Sequence, residues 1–257
     1  MEEYLVYLAY IYEGDYGKIM NGLKEPRPSS EQIRKVLNLL NCKYTTIISE
    51  DYPMMLKTID CPPFVLFYYG NLELAYCPCM AMVGTRRPSI YGKQMALSFA
   101  NVLSEQFVIV SGMAGGIDSY SHTGAKSCKT IAVLGSGIDY CYPKENMKLY
   151  EKIKNEGLLI SEYPGSIQPK KYYFPWRNRI VAGLSLAVLV VESTRKSGTM
   201  ITVGYALEQG KNVYAIPHNI GEYEGCNELI RDGAILINDP MQLELEDLEL
   251  QWQRLNR

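Results

Sequence analysis

The sequence predicts an α/β protein with a mostly parallel sheet, helices on both of its faces, and a small helical N-terminal subdomain. Three observations predict it: short apolar runs bounded by glycine or serine recur along the chain, segments of helical period lie between them, and the first 43 residues break into two helix-like pieces. Strand alternating with helix describes βαβ units, which pair their strands in parallel and cover the sheet on both sides.

Taken in order, residues 3–20 and 29–41 have helical character and are joined by GLKEPRPSS, whose two prolines interrupt a helix. The apolar runs follow at 64–68 (FVLFY), 80–83 (MAMV), 108–110 (VIV), 131–134 (IAVL), 158–160 (LLI), 187–191 (AVLVV), 213–216 (VYAI) and 235–237 (ILI). Each suits a strand buried on both faces. Between them Ser89 is a cap candidate ahead of Met95, Phe99, Val102 and Leu103, a charged helical stretch spans 144–156, and Met200, Val203 and Leu207 form a helical stripe closed by Gly210. The expected organisation is a helical subdomain over 1–43, a core over 44–240, and an acidic C-terminal helix or tail over 241–257 ending in QWQRLNR.

With 257 residues, 47% of them hydrophobic and 21% charged, the chain can bury a full core. Runs such as LSLAVLVV are far shorter than the roughly 20 residues of a membrane-spanning helix, and MEEYLVYLAY carries acids where a signal peptide carries bases. A cytoplasmic protein is expected. The seven cysteines are odd in number and scattered, without a C-x-x-C pair, and only two histidines accompany them. They read as reduced small hydrophobes, with no metal site.

A net charge of −2 argues, as a total, against a nucleic-acid partner. Its distribution argues otherwise. No acid separates Glu162 from Glu192, a window that holds Lys170, Lys171, Arg177 and Arg179. None separates Glu73 from Glu105, which enclose Arg86, Arg87 and Lys93, or Glu192 from Glu208, which enclose Arg195 and Lys196. Asp239, Glu244, Glu246, Asp247 and Glu249 crowd together near the C-terminus, so a near-neutral sum conceals a basic face and an acidic tail.

The segments that leave the strands are small and polar: GTRRPS, SGMAGGIDS, GSGID and ESTRKSGT. In a parallel sheet they gather at the carboxyl edge, where ligands bind at the switch point of strand order. Small residues there let backbone N–H groups and helix N-termini approach an anion, and several such loops on one edge suit an extended anionic ligand. No G-x-G-x-x-G follows the first strand, the nearest match being GSGIDY at 135–140, and the P-loop pattern is absent. A nicotinamide, flavin or ATP cofactor is therefore not expected, nor any other.

Catalytic patterns are thin. Ser136 is not in a G-x-S-x-G setting, and neither His122 nor His218 has a neighbourhood that marks it as a base. Asp118, Asp139, Glu162 and Glu192 each follow a strand, where they suit roles as acids or ligands, but at least three of the four read as caps or loop ties. No enzyme is demanded.

The segments VGTRRPSIYG, IVSGMAGGIDSYSH, TIAVLGSGIDYCYPKEN, LLISEYPGSIQP, FPWRNRIVAGLS, VLVVESTRKSGTMITVGYALEQGKNVYAIP and GCNELIRDGA, in that order and spacing over roughly 45–238, resemble the DNA-processing protein A (DprA, or Smf) family. The resemblance implies an extended Rossmann-like core that binds single-stranded DNA with little sequence preference, forms a homodimer, and helps load a RecA-type recombinase during natural transformation. Carried over by segment, it implies DNA contacts from Thr85 and Arg86 in the GTR turn, Gly112 and Gly115 in the glycine loop, Lys171, Phe174, Arg177, Asn178 and Arg179 around FPWRNR, and Ser197 and Thr199 in the SGT turn.

Physics agrees with FPWRNR as such a site, since cations track phosphates and flat rings stack on any base. Pro175 stiffens the segment, and guanidinium meets phosphate in a fork that lysine cannot copy. The competing reading packs Phe174 and Trp176 into an apolar corner and pairs an arginine with Glu162 or Glu192; Arg177 and Arg179 taken together favour DNA. The chain departs from the family in having Gly115 where an arginine is usual and His218 where a glycine is usual, and no winged-helix segment is expected after Pro240. The alternative function is a nucleotide sensor or a phosphoribohydrolase resembling the LOG proteins, although 197–199 lacks the Pro-Gly pair that precedes their Gly-Thr.

Overall fold

The computed structural model describes residues 1–219, 221, 223–242 and 252. The chain opens with α1 (Glu2–Ile11), α2 (Tyr16–Gly22) and α3 (Ser30–Leu37). The 3–20 segment is thus two helices, separated where Glu13 and Gly14 adopt positive φ of 51° and 72°. Ser29 closes a full capping box on α3: its hydroxyl accepts from the Gln32 N–H, while the Gln32 side chain accepts from the Ser29 N–H.

Next come β1 (Lys43–Thr46), the short α4 (Met54–Lys57), β2 (Val65–Gly70), β3 (Cys79–Gly84), α5 (Ile90–Leu103), β4 (Val108–Ser111), α6 (Ile117–Gly124) and β5 (Thr130–Val133). The chain continues through α7 (Met147–Glu156), β6 (Leu158–Ser161), α8 (Tyr173–Leu184), β7 (Ala187–Glu192), α9 (Thr199–Glu208), β8 (Asn212–Ala215), α10 (Glu224–Arg231) and β9 (Ile235–Leu236). All eight apolar runs became strands, although β9 ends the sheet with Ile235 and Leu236 exposed, where a strand buried on both faces was expected. The strand β1 was not expected, because KYTT is short and polar, lies at the edge of the sheet, and has only its second half buried.

The described strands form one sheet in the order β1-β2-β6-β5-β4-β3-β7-β8-β9. Pairings β1/β2 and β2/β6 are antiparallel, and every pairing from β6 through to β9 is parallel. From β3 the chain winds one way through β4, β5 and β6, then returns to pair β7 with β3 and winds the other way. This is an extended Rossmann-like fold whose switch point lies between β3 and its neighbours β4 and β7.

Side chains alternate across the sheet as the strand period requires. Val108, Val110, Val188 and Val190 meet Ile180, Val181 and Leu184 of α8 and Val203 of α9 on one face. Ile109, Leu189 and Val191 meet Ala96, Phe99 and Leu103 of α5 on the other. Tyr4, Leu5, Val6 and Leu8 of α1 share a third cluster with Val65 and Phe67 of β2 and Ile153 of α7.

The tract at 241–257 expected as helix or tail falls outside the described residues, apart from 241, 242 and 252. Among the described residues, no helix is long and apolar enough to cross a membrane, no group of three His, Cys, Asp or Glu is placed to hold a metal ion, and all seven cysteines are free.

Candidate functional site

At the switch point the loops that leave β3, β4 and β7 and the first turns of α8 enclose a cleft of about 640 Å3. Of the residues singled out from sequence, Thr85, Arg86, Gly112, Lys171, Phe174, Arg177, Asn178, Ser197 and Thr199 line it; Gly115 and Arg179 do not.

The helix α8 carries the central side chains. Pro175 falls in its first turn, where a missing N–H loses no helical bond. Arg177 forms the floor, only 4% exposed. Its Nη1 donates to the carbonyls of Gly112, just past β4, and Val133, the last residue of β5, and its Nε donates to Asn178 Oδ1 at 3.1 Å. Among the described residues Arg177 makes no ion pair. Burial pushes its guanidinium down to about 10, with Asp118 opposing and Arg86 adding to the shift. Asp118 also lines the cleft; burial raises its carboxyl, while Arg177 and the Ala114 N–H at 3.3 Å act the other way.

Phe174 stands over this floor. The Arg86 guanidinium lies 5.4 Å from its ring centroid and the Tyr142 ring 5.5 Å away. Arg86 and Lys171 are exposed cations at the rim. The neighbouring Lys170 turns to Glu13 at 3.1 Å. On the far wall Ser197 Oγ lies 2.7 Å from Ser193 Oγ, and the loop leads into the N-terminus of α9, which has no side-chain cap.

Two glycines have different reasons from those the sequence suggested. A Cβ on Gly112 would lie 2.4 Å from Arg177 Nη2, so this glycine leaves room for a guanidinium from the protein itself. Gly115 faces open space, whereas Gly116 has φ +79° and a Cβ there would lie 2.4 Å from the Thr85 carbonyl. The close approach that ties the β4 loop to the GTR turn is made at 116.

Arg179 sits behind the cleft, 1% exposed. Its Nη1 and Nη2 reach Glu162 Oε2 and Oε1 at 2.7 and 2.5 Å, its Nε donates to the Cys61 carbonyl at 3.0 Å, and its guanidinium lies 4.0 Å from the Trp176 ring centroid. Burial acts against its charge, yet the Glu162 carboxylate outweighs that and its pKa is raised. Trp176 also meets Tyr16 of α2, with centroids 6.1 Å apart, so this ring belongs to an apolar corner. Sequence reasoning missed Tyr142 as a wall of the cleft and weighed Asp118, from its position after a strand, as an acid or ligand or else a cap or tie, without placing it in the binding site.

The sequence model of the DNA recombination-mediator protein A family matches residues 43–247. The chain belongs to this family. DNA processing protein DprA of Streptococcus pneumoniae is 44% identical over 196 residues, covering 75% of this chain and 70% of that protein. Protein Smf of Synechocystis is 42% identical over 215 residues, covering 79% of this chain and 53% of that one, so the chain spans little more than half of that relative's length. Among solved structures, that of the S. pneumoniae DprA superposes with a TM-score of 0.76 at 34% identity, covering 93% of this chain and 91% of that one. A Helicobacter pylori DprA structure, described as giving insight into a unique single-stranded DNA binding mode, superposes at 0.74 with 31% identity, covering 83% and 98%. Membership in the recombination-mediator family and the extended Rossmann-like fold therefore stand together.

Proposed function

We propose that the cleft binds single-stranded DNA and that the protein, a cytoplasmic homodimer without catalytic activity, protects incoming strands and passes them to a RecA-type recombinase in natural transformation. The observation that carries the DNA reading is Arg177: a buried cation in no direct ion pair among the described residues, with the Asp118 carboxyl its acidic neighbour in the cleft, opening onto a rim that holds two further cations. Such a charge is expensive to bury unpaired, and a phosphate entering the cleft would complete it. Arg177, Arg86, Lys171 and the 197–199 turn hold phosphate in this reading, while Phe174 supplies a stacking face to one base. Asn178 bridges, since it accepts from Arg177 Nε and donates to the Gly198 carbonyl at 3.5 Å. Arg179 contributes from behind, by fixing α8.

Nothing in this contact set reads a base edge, so binding should be insensitive to sequence and strongly dependent on salt. The DNA-binding relative from H. pylori supports the reading, and the family's description as recombination mediators supports the hand-over. Titration of fluorescent oligo-dT across several salt concentrations, beside an assay for adenine release from AMP, tests the reading. Salt-dependent binding without base release is expected. Base release without DNA binding would overturn it in favour of a phosphoribohydrolase. Sedimentation at micromolar concentration should give a dimer, and addition of the protein should speed recombinase assembly on a coated single strand.

A further inference from the structure

We propose that Glu192 is a positioning residue for the bound strand: it grips the turn at 84–89 at both ends and so sets where Arg86 stands over the cleft. The inference rests on the DNA reading of the cleft.

Glu192 closes β7 and is fully buried, at 0% exposure. Its backbone carbonyl accepts from the Thr85 N–H at 2.7 Å. Its carboxylate takes the other end of the same turn, Oε2 from the Ser89 N–H at 2.7 Å and Oε1 from the Ser89 hydroxyl at 2.5 Å. The Ser89 oxygen in turn accepts from Gly92 N–H at 2.9 Å, as the N-cap of α5. One side chain from a different strand thus supplies the anion that the first turn of α5 favours, through the capping serine. The fit is close: a Cβ on Gly92 would lie 2.5 Å from Glu192 Oε2.

Between the two grips the turn has little freedom left. Tyr223 donates from its hydroxyl to the Arg87 carbonyl at 3.0 Å. Gly116 closes on the Thr85 carbonyl, which accepts from the Ile117 N–H at 3.1 Å. Arg86, held in the middle, makes no ion pair among the described residues, and its guanidinium is aimed at Phe174. His218 packs beside the carboxylate from the next loop, held by its own bond: its Nε2 donates to the Val191 carbonyl at 2.9 Å, and its Nδ1 lies 3.7 Å from Glu192 Oε1. A residue that departs from the family pattern thereby finds its place beside the acid that holds the turn.

The test compares oligo-dT affinity across a salt series for the wild type, Arg86→Ala, Arg177→Met, Glu192→Gln and the double variant Arg86→Ala with Glu192→Gln, each checked for cooperative unfolding. Glutamine keeps the shape but turns one acceptor into a donor facing Ser89. Glu192→Gln should then lower the slope of log K against log salt by about 0.7, as loss of one phosphate contact does on a single strand. The double variant should bind no worse than Arg86→Ala alone. A folded Glu192→Gln with the wild-type slope, or losses that add in the double variant, would overturn the inference. If Arg177→Met moves the slope and Arg86→Ala does not, the inference fails while the DNA reading stands; if neither moves it, both fail. Should Glu192→Gln not fold, Ser89→Ala and Ser89→Thr carry the test. Alanine is expected to lower the slope and threonine, which keeps the hydroxyl, to restore it; equal slopes in the two overturn the proposal.

Discussion

Arg177 and Arg179 belong to the same helix, two residues and about 200° apart, and both are almost wholly buried, yet they are in opposite electrostatic states. On the back of α8, Arg179 meets both oxygens of Glu162 and its charge is settled inside the protein. On the cleft side, Arg177 has carbonyls and an amide oxygen for partners, which orient a guanidinium without neutralising it. A buried arginine is thus neither structural nor functional by type. What decides is whether the fold brings a carboxylate into contact with it: Glu162 meets Arg179 directly, whereas Asp118 acts on Arg177 without forming an ion pair.

The sharpest way to break this comparison is to remove Arg179. Arg179→Ala leaves Glu162 buried and unpaired, so urea unfolding should report a loss of about 3–5 kcal/mol. Replacing both partners with apolar residues of similar volume should recover much of it. If Arg179→Ala were instead stable and bound DNA with a reduced salt slope, the two arginines would be equivalent. Arg177→Met should behave in the opposite way, with little loss of stability and a slope reduced by about 0.7 for every base sequence tested. Gly112→Ala sharpens the point. Its new Cβ would strike the Arg177 guanidinium, so it should weaken binding in the wild type and add nothing in the Arg177→Met background.

Phe174→Ala should lower affinity by about 1–3 kcal/mol for one stacked base while the salt slope is unchanged, because a ring carries no counterion. A changed slope would mean that Phe174 acts by holding Arg86.

At neutral pH the smallest expected effect lies at His122, outside the lining of the cleft. Its Nδ1 is 2.6 Å from the Thr130 hydroxyl, which donates to the Ile109 carbonyl, so Nδ1 carries the proton and the ring is neutral. Burial, with the Arg177 charge second, pushes this imidazole down to about 3. Between that value and the ordinary value of about 6.5, the unfolded chain binds a proton that the folded one refuses, so stability falls as pH drops through this window. The limiting slope is about 1.4 kcal/mol per pH unit, and His122→Asn should flatten it. Arg177→Met should narrow the window slightly, whereas Arg179→Met should leave it alone. Acid unfolding monitored by circular dichroism separates the two.

Much of this was legible in the chain. The apolar runs marked eight strands because a strand buried on both faces needs nearly every side chain to be apolar, although the last of them, β9, lies exposed at the edge of the sheet. KYTT escaped notice because an edge strand needs no such run. Small residues after β3, β4 and β7 identified the walls of the cleft, since loops at a switch point must leave room for a ligand. Gly112 was legible as a position of close approach but not for its reason, because the group that approaches arrives on α8, 65 residues later in the chain. The glycine pair at 115–116 hid which member mattered, as only φ and the nearby Thr85 carbonyl distinguish them.

The sequence by itself determined the parallel sheet, the position of the cleft at its carboxyl edge, and the presence there of cations beside an aromatic ring. Those follow from periodicity and residue type, which are local properties. Only the tertiary structure decided which arginine faces the cleft, which glycine makes the close approach, and that Glu192 grips a turn more than a hundred residues earlier in the chain. Charge pairing depends on distances of a few ångströms between segments far apart in sequence, and those distances exist only once the sheet has brought Glu162 against Arg179 behind α8 and left Arg177 facing carbonyls, with Asp118 near but in no ion pair with it.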